Sequence, residues 1–273
     1  MKRIGYYSLA SAVMVTAIAV ATLAPAFAAT PVVNGALLNL RVFNDCPTSL
    51  LTTTNTYPGV ISITDANVSS GNFANRHNWR ASADGGVTEA SFDNNAAFRI
   101  SANVTLSGTG RGEGGMQICP WWTQEVDGQF YINADPVGFG EIACFGGRLP
   151  FYSFTTSFGL HYTKGTTVFM EMTYSPNGLS SVSPATIDYV YRDGSGTYDS
   201  GPIAFDQGNP AEDPPHGLWG ILNDARVGGY VMPKVMPTDG FSFTGTWEDI
   251  RYEPLGATPT QNTTWGKLKT LYK

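Results

Sequence analysis

Between Gly35 and Tyr252 the chain runs in short stretches of alternating apolar and polar residues, separated by Gly, Pro, Asn and Asp. A period of two is that of a strand with one buried face. ALLNLRVF (36–43), VISIT (60–64), AFRISANVTLSG (97–108), GMQICPWW (115–122), QFYINA (129–134) and GEIACF (140–145) all fit strands. So do SFGLHYT (157–163), TTVFMEMTYS (166–175), ATIDYVYRDG (185–194), GLWGILN (217–223) and GFSFTGTWEDIRYEP (240–254). In FRISANVTL, Phe98, Ile100, Ala102, Val104 and Leu106 share one face, with Arg99, Ser101, Asn103 and Thr105 on the other. TVFMEMTYSP is largely apolar on both faces apart from Glu171, which predicts a central strand with Glu171 turned to a groove or a solvated face. Asp193-Gly194 marks a tight turn, with a second hairpin strand beginning near Thr197. Helical periodicity is almost absent. Strands without helices to cover them bury their apolar faces against another sheet, so the expected fold class is all-β, a two-sheet antiparallel β-sandwich or jelly roll.

The ends of the chain break this pattern. Lys2 and Arg3 precede an uncharged apolar run interrupted by Pro25, with Ala26 and Ala28 at the spacing a signal peptidase reads. Residues 1–28 are therefore expected to be a cleaved signal peptide, with the mature protein starting near Ala29 and secreted or displayed at the cell surface. A retained anchor is disfavoured by the short, Ala-rich apolar core, and no later stretch has the ~18 uninterrupted apolar residues of a spanning helix. One β-sandwich domain is expected over 29–253. Residues 254–273 then form a linker and a short basic tail, TTWGKLKTLYK, read either as a sorting or attachment signal or as a frayed terminus.

Composition narrows the chemistry. With 31 Gly, 17 Pro and 14% charged residues, the chain is rich in turns and poor in surface helices. A net charge of -6 without a basic stripe argues against a nucleic-acid partner. In an oxidising exterior, Cys46, Cys119 and Cys144 are expected to give one disulfide and one thiol; all three pairings are open, with the Cys144 strand as a participant. No CxxC or HxxxH spacing supports zinc.

Two segments gather aromatic and polar groups. PWWTQEVDGQFYINAD holds Trp121, Trp122, Glu125, Asp127 and Tyr131, and adjacent tryptophans on a strand point to opposite faces, leaving one indole to face outward. Such an indole either stacks on a sugar ring while neighbouring carboxylates bond its hydroxyls, or packs under a loop. GNPAEDPPHGLWG places Glu212, Asp213, His216 and Trp219 on a proline-stiffened loop that continues through Asn223, Asp224 and Arg226. The bland alternative is a turn cap at Asp213, an Arg226–Glu212 ion pair and a packed histidine. In GEIACFGGRLPFYSF, Gly146 and Gly147 permit a turn that brings Glu141 and Arg148 to the strand ends, where Glu141 and Glu212 would make the best carboxylate pair. No cofactor is expected. Calcium is the one cation left open, as a staple of exported sandwiches, although no Asp-rich repeat supports it.

The succession FRISANVTL, GEGGMQICPWW, GTTVFMEMTYSP, IDYVYRDG and FTGTWEDIRYE resembles the concanavalin A-like β-sandwich group of lectins, laminin-G modules and glucanases over roughly residues 35–253. It is also similar to a set of uncharacterised bacterial exported proteins with PWW and NPAEDPPHGLWG segments. The resemblance implies fold more than function. Glucanases of the group carry Glu-x-Asp-x-Glu, whereas this chain has EVDGQ, and Gln129 is neither acid nor base. Polysaccharide lyases of the same fold carry Gln-Ile-His, where this chain has Gln117, Ile118 and Cys119. The expected function is thus glycan binding, or binding of a cell-envelope polymer, with Trp121, Trp122 and Trp219 stacking sugars and Asp127, Glu212, Asp213, Asn223 and Arg226 bonding hydroxyls. The alternatives are a glycan-cleaving enzyme using Glu141, Glu212, Asp213 and His216, and a structural envelope or matrix protein.

Overall fold

The computed structural model describes residues 30–68, 73–118, 128–135, 139–146, 149–205, 219–234 and 241–256. In chain order its strands begin with β1 (Gly35–Asn44), β2 (Leu50–Asn55), β3 (Val60–Val68), β4 (Asn75–Ser82), β5 (Phe98–Ser107), β6 (Gly112–Ile118), β7 (Gly128–Asn133), β8 (Ile142–Gly146) and β9 (Tyr152–Ser153). After a short helix, α1 (Phe154–Phe158), come β10 (Thr167–Ser175), β11 (Thr186–Asp193), β12 (Gly196–Asp199), β13 (Ile203–Ala204), β14 (Val227–Pro233) and β15 (Phe241–Pro254). Sheet A runs β1-β4-β14-β6-β7-β8-β9 and sheet B runs β12-β11-β10-β5-β15-β3-β2, with β13 beside β11. All strand pairs are antiparallel. The two sheets face each other as the expected β-sandwich.

Alternation explains the core. Phe98, Ile100, Ala102, Val104 and Leu106 of β5 are buried, and on β10 so are Val168, Met170, Met172 and Tyr174. Against them sheet A turns Trp79, Met116, Phe130, Ile132 and Val231 into the same cluster. Trp79 and Trp247 meet edge to face at 6.1 Å, and Trp247 Nε1 donates to the Gly115 carbonyl, 3.0 Å away on the opposite sheet. A Cβ at Gly229 would fall 2.4 Å from Trp79 Nε1 and 2.6 Å from Trp247 Nε1, so the glycine is the space that both indoles occupy.

One polar cluster lies inside the sandwich. Asp65 of β3 and His77 of β4 are fully buried, 3.0 Å apart, and Asn75 Nδ2 donates to the same carboxylate oxygen at 2.7 Å. The Arg41 backbone N–H donates to His77 Nδ1, so that nitrogen carries no proton and Nε2 donates to Asp65. Burial pushes the Asp65 carboxyl up, but hydrogen bonds from His77, Ser49 and Asn75 outweigh it and hold the carboxyl below its usual range. The cluster ties the sheets together at one end.

Several expectations need correction. SFGLHYT is no strand: Ser153 caps α1 by accepting from the Thr156 N–H, and Gly159 at φ 69° ends it, so local capping overrides the alternation. The described part of GLWGILN is a bend, with Trp219 at φ 52°, and the strand nearby is β14 instead. Cys144 is a free, buried thiol, not a disulfide partner, because its strand turns it into the core cluster. Glu171 lies on the outer face of sheet B, with Arg99 Nε 3.5 Å away. The hairpin at Asp193 forms as expected, Asp193 pairing with Gly196. No helix among the described residues is long and apolar enough to cross a membrane. The leader, the tail and Cys119 lie outside the described residues.

Candidate functional site

On β4, His77, Trp79 and Ala81 face the core, so strand alternation turns Arg76, Asn78 and Arg80 to the other side of sheet A. Register carries this face across four more strands. One row reads Arg80, Gly228, Gln117, Gln129, Phe145; the next reads Asn78, Tyr230, Gly115, Tyr131, Ala143. A third contains Met232, Glu113 and Asn133. A Cβ at Gly228 would lie 2.0 Å from the Trp79 carbonyl oxygen, so β14 and β4 approach too closely for a side chain there, and the first row dips between Arg80 and Gln117.

Arg76 organises the face. Its guanidinium donates to Asn78 Oδ1 at 3.3 Å, Gln129 Oε1 at 3.1 Å and Gln117 Oε1 at 2.8 Å, and lies 4.1 Å over the Tyr230 ring. Gln129 Nε2 and the Tyr230 hydroxyl both donate to Glu113 Oε1, and Lys234 Nζ stands 3.9 Å from its other oxygen. Burial pushes the Glu113 carboxyl up, against the opposing pull of Lys234, Tyr230, Arg76 and Gln129. Tyr131 donates a short hydrogen bond to Glu141. Burial, then the bond to Glu141, raise the Tyr131 phenol; burial, then the Glu113 charge, raise that of Tyr230. Both phenols therefore serve as hydrogen-bond donors across the ordinary pH range.

Arg80 extends the face toward β1. Its Nη1 lies 2.7 and 2.8 Å from the two oxygens of Glu89, which also accepts from Arg226 Nε at 3.1 Å. Yet Arg80 Nε and Asn78 Nδ2 are buried donors with no acceptor among the described residues. Orphaned donors of this kind cost ~1–3 kcal/mol each unless a water or ligand oxygen meets them. At the other end of the row Phe145 is 42% exposed and stands edge-on to Tyr131, 5.3 Å between centroids.

Of the residues singled out in the sequence, Tyr131 and Glu141 meet on this face, and Arg226 reaches its rim through Glu89. Trp219, Asn223 and Asp224 lie in the turn before β14: the Trp219 carbonyl accepts from Ala185 N, Asn223 Oδ1 from Asn94 N, and the Asp224 carbonyl from Arg226. Trp121, Trp122, Glu125, Asp127, Arg148, Glu212, Asp213 and His216 lie outside the described residues. Among the described residues no group of three or more His, Cys, Asp or Glu side chains is placed to hold a metal ion. The residues missed were Arg76, Asn78, Arg80, Glu113 and Tyr230. NRHNWR carried the signal, because its even positions are polar and its odd ones include the core tryptophan.

No family model matches the chain, and no curated protein matches it either. Solved structures with a similar strand arrangement include the winged bean acidic lectin in complex with methyl-α-D-galactose, at 11% identity and TM-score 0.37, covering 79% of this chain and 99% of that one. Others are the metal-free carbohydrate recognition domain of Emp46p (11%, TM-score 0.36, 78% and 95% covered) and a sialidase (6%, TM-score 0.40, 82% and 19% covered). At these scores no residue role is carried over from them.

Proposed function

We propose that the chain is a glycan-binding β-sandwich whose binding surface is the outer face of sheet A. The observation that carries this reading is the pair of buried, unmatched donors, Asn78 Nδ2 and Arg80 Nε, set in a face of amides, tyrosines and paired charges. Sugar hydroxyls and ring oxygens supply acceptors at that density, and an aromatic edge such as Phe145 offers an apolar plane for a ring. With the leader expected at residues 1–28, the protein would work outside the cytoplasm, on secreted or envelope polymers.

A glycan array probed with the purified protein tests this, with Phe145→Ala beside the wild type. Because Phe145 is partly exposed, its truncation should move stability little, while losing a stacking contact of ~0.5–1.5 kcal/mol should weaken glycan binding about threefold to tenfold. An array silent with the wild type, or glycan binding unchanged in the variant, counts against the reading.

A further inference from the structure

A second polar cavity lies on the other sheet. It is a half-open groove with a volume of about 360 Å³ between the loop leading into β10 and the β11–β12 turn, with His161, Thr163, Thr167, Tyr191, Asp193 and Ser195 on its walls. That volume falls near the lower end of the ~300–1,000 Å³ range of small-molecule sites. None of the lining residues is aliphatic beyond the threonine methyls. The face of sheet A described above shares no residue with it.

Its hydrogen-bonding capacity can be worked out group by group. His161 Nδ1 lies 2.6 Å from the Phe139 carbonyl oxygen, which only accepts; Nδ1 therefore carries the hydrogen, and in the neutral ring Nε2 presents a lone pair. Asp193 accepts from the Ser195 backbone N–H at 2.8 Å and from the Ser195 and Tyr191 hydroxyls. Burial raises its carboxyl, but these bonds outweigh it and keep the group ionised. Thr167 Oγ1 is shared with Thr105 Oγ1 at 2.8 Å, and Ser195 Oγ with the Tyr198 hydroxyl at 2.9 Å. A carboxylate already crowded with donors is poor at holding a cation, and its charge repels an anion. What remains is an acceptor nitrogen and hydroxyls that both donate and accept.

We infer that this cavity is a binding site for a small neutral polyol, of the size of one or two sugar rings, independent of the sheet A face. Vicinal hydroxyls match it: one donates to His161 Nε2, a neighbour accepts from Thr163 or donates to the Asp193 side. Gly194 provides the test. It borders the cavity, and a Cβ built on it meets nothing within 4 Å, so the turn has room for a tyrosine beside the groove.

The experiment is a titration of the full chain with methyl α-D-glucopyranoside, methyl α-D-galactopyranoside and methyl α-D-mannopyranoside, followed through the imidazole nitrogen resonances. At least one glycoside should shift the His161 Nε2 signal in saturable fashion; Gly194→Tyr should abolish that shift, and Thr163→Val should weaken binding about threefold to tenfold, as for one lost hydrogen bond. Melting curves would show that both variants fold, and Thr163→Val, at an exposed site, carries the test if the other does not. The proposal is overturned if none of the three moves the His161 signal, or if the shift survives both substitutions.

Discussion

The outer faces of the two sheets both carry polar side chains and use them in opposite ways. On sheet B they are half exposed and bonded in local pairs: Thr64 Oγ1 to Thr244 Oγ1 at 2.8 Å, Asn103 Nδ2 to Asp249 at 3.1 Å, and Arg99 to Glu253 at 3.1 Å. Any of these groups can turn to water when its partner is lost. On sheet A, Arg76, Asn78, Gln117, Gln129, Glu113 and Tyr230 are buried, and each depends on the next through one guanidinium. Polarity alone marks the side of a sheet that leaves the core. Buried, interdependent polarity marks a surface built for something other than solubility.

The comparison is tested hardest by truncating one arginine on each face. Arg76→Ala strands the carbonyl oxygens of Gln117 and Gln129 and removes a cation near Glu113, whose carboxyl would be pushed up further. Removing one member of a buried charged network typically costs ~3–5 kcal/mol, against less than ~1 kcal/mol for an exposed pair. Urea denaturation should therefore show a large loss for Arg76→Ala and almost none for Arg99→Ala, whose side chain is 42% exposed. Equal losses would mean that the two faces do not differ as described.

Sheet B was legible in the sequence and the decisive part of sheet A was not. FRISANVTL separates its faces because one is aliphatic and the other is not, and β5 follows that reading residue by residue. NRHNWRAS, by contrast, is polar on both faces: its inner side holds His77, satisfied by Asp65 twelve residues earlier in the chain, on β3 of the other sheet. Nothing local announces that pairing. Gln129 stands out in the sequence only as a departure from the glucanase motif, where an amide has no acid–base use, and Gln117 only as the position that matches the lyase motif. Across the sheet from Arg76 their neutrality has a different value, because each offers an oxygen to the guanidinium and Gln129 a nitrogen to Glu113. Tyr131 and Glu141 were picked as polar residues on adjoining segments, and register brings them together.

A smaller effect separates the outer face of sheet B from the interior by pH. Asp188 on β11 is raised to about 6, by burial first and then by its bond to Asp199 and that carboxylate's charge, with Glu171 adding to it. Its pKa in the unfolded chain is about 3.9. An acid whose folded pKa is raised favours the fold below its unfolded pKa and loses that contribution as pH rises through the folded one. Asp188→Asn should accordingly melt like the wild type near pH 4 and higher above pH 6, by up to about 2 °C once solvent screening at this half-exposed site is allowed for. Asp65 works in the other sense: held below its usual range, it contributes above pH ~4 and is lost on further acidification, which the Asp188 variant leaves in place. A variant whose melting curve keeps the wild-type slope between pH 4 and 7 would remove Asp188 from this role.

The smallest expected effect lies in the threonine ladder of sheet B. Thr64 and Thr244 face each other across β3 and β15, and Ser62 and Thr246 repeat the arrangement one step along at 3.4 Å. Thr64→Val keeps the shape and the β-branch, removes one hydroxyl, and leaves Thr244 free to bond water at a half-exposed site. The net change should stay within about 0.5 kcal/mol, since a solvent-exchangeable hydrogen bond contributes little and valine is at least as good in a strand. Glycan binding should not move, because no residue of this ladder belongs to the sheet A face. A loss of several times that size would show that the outer face of sheet B is also an interdependent network, and the contrast between the two faces would then rest on exposure alone.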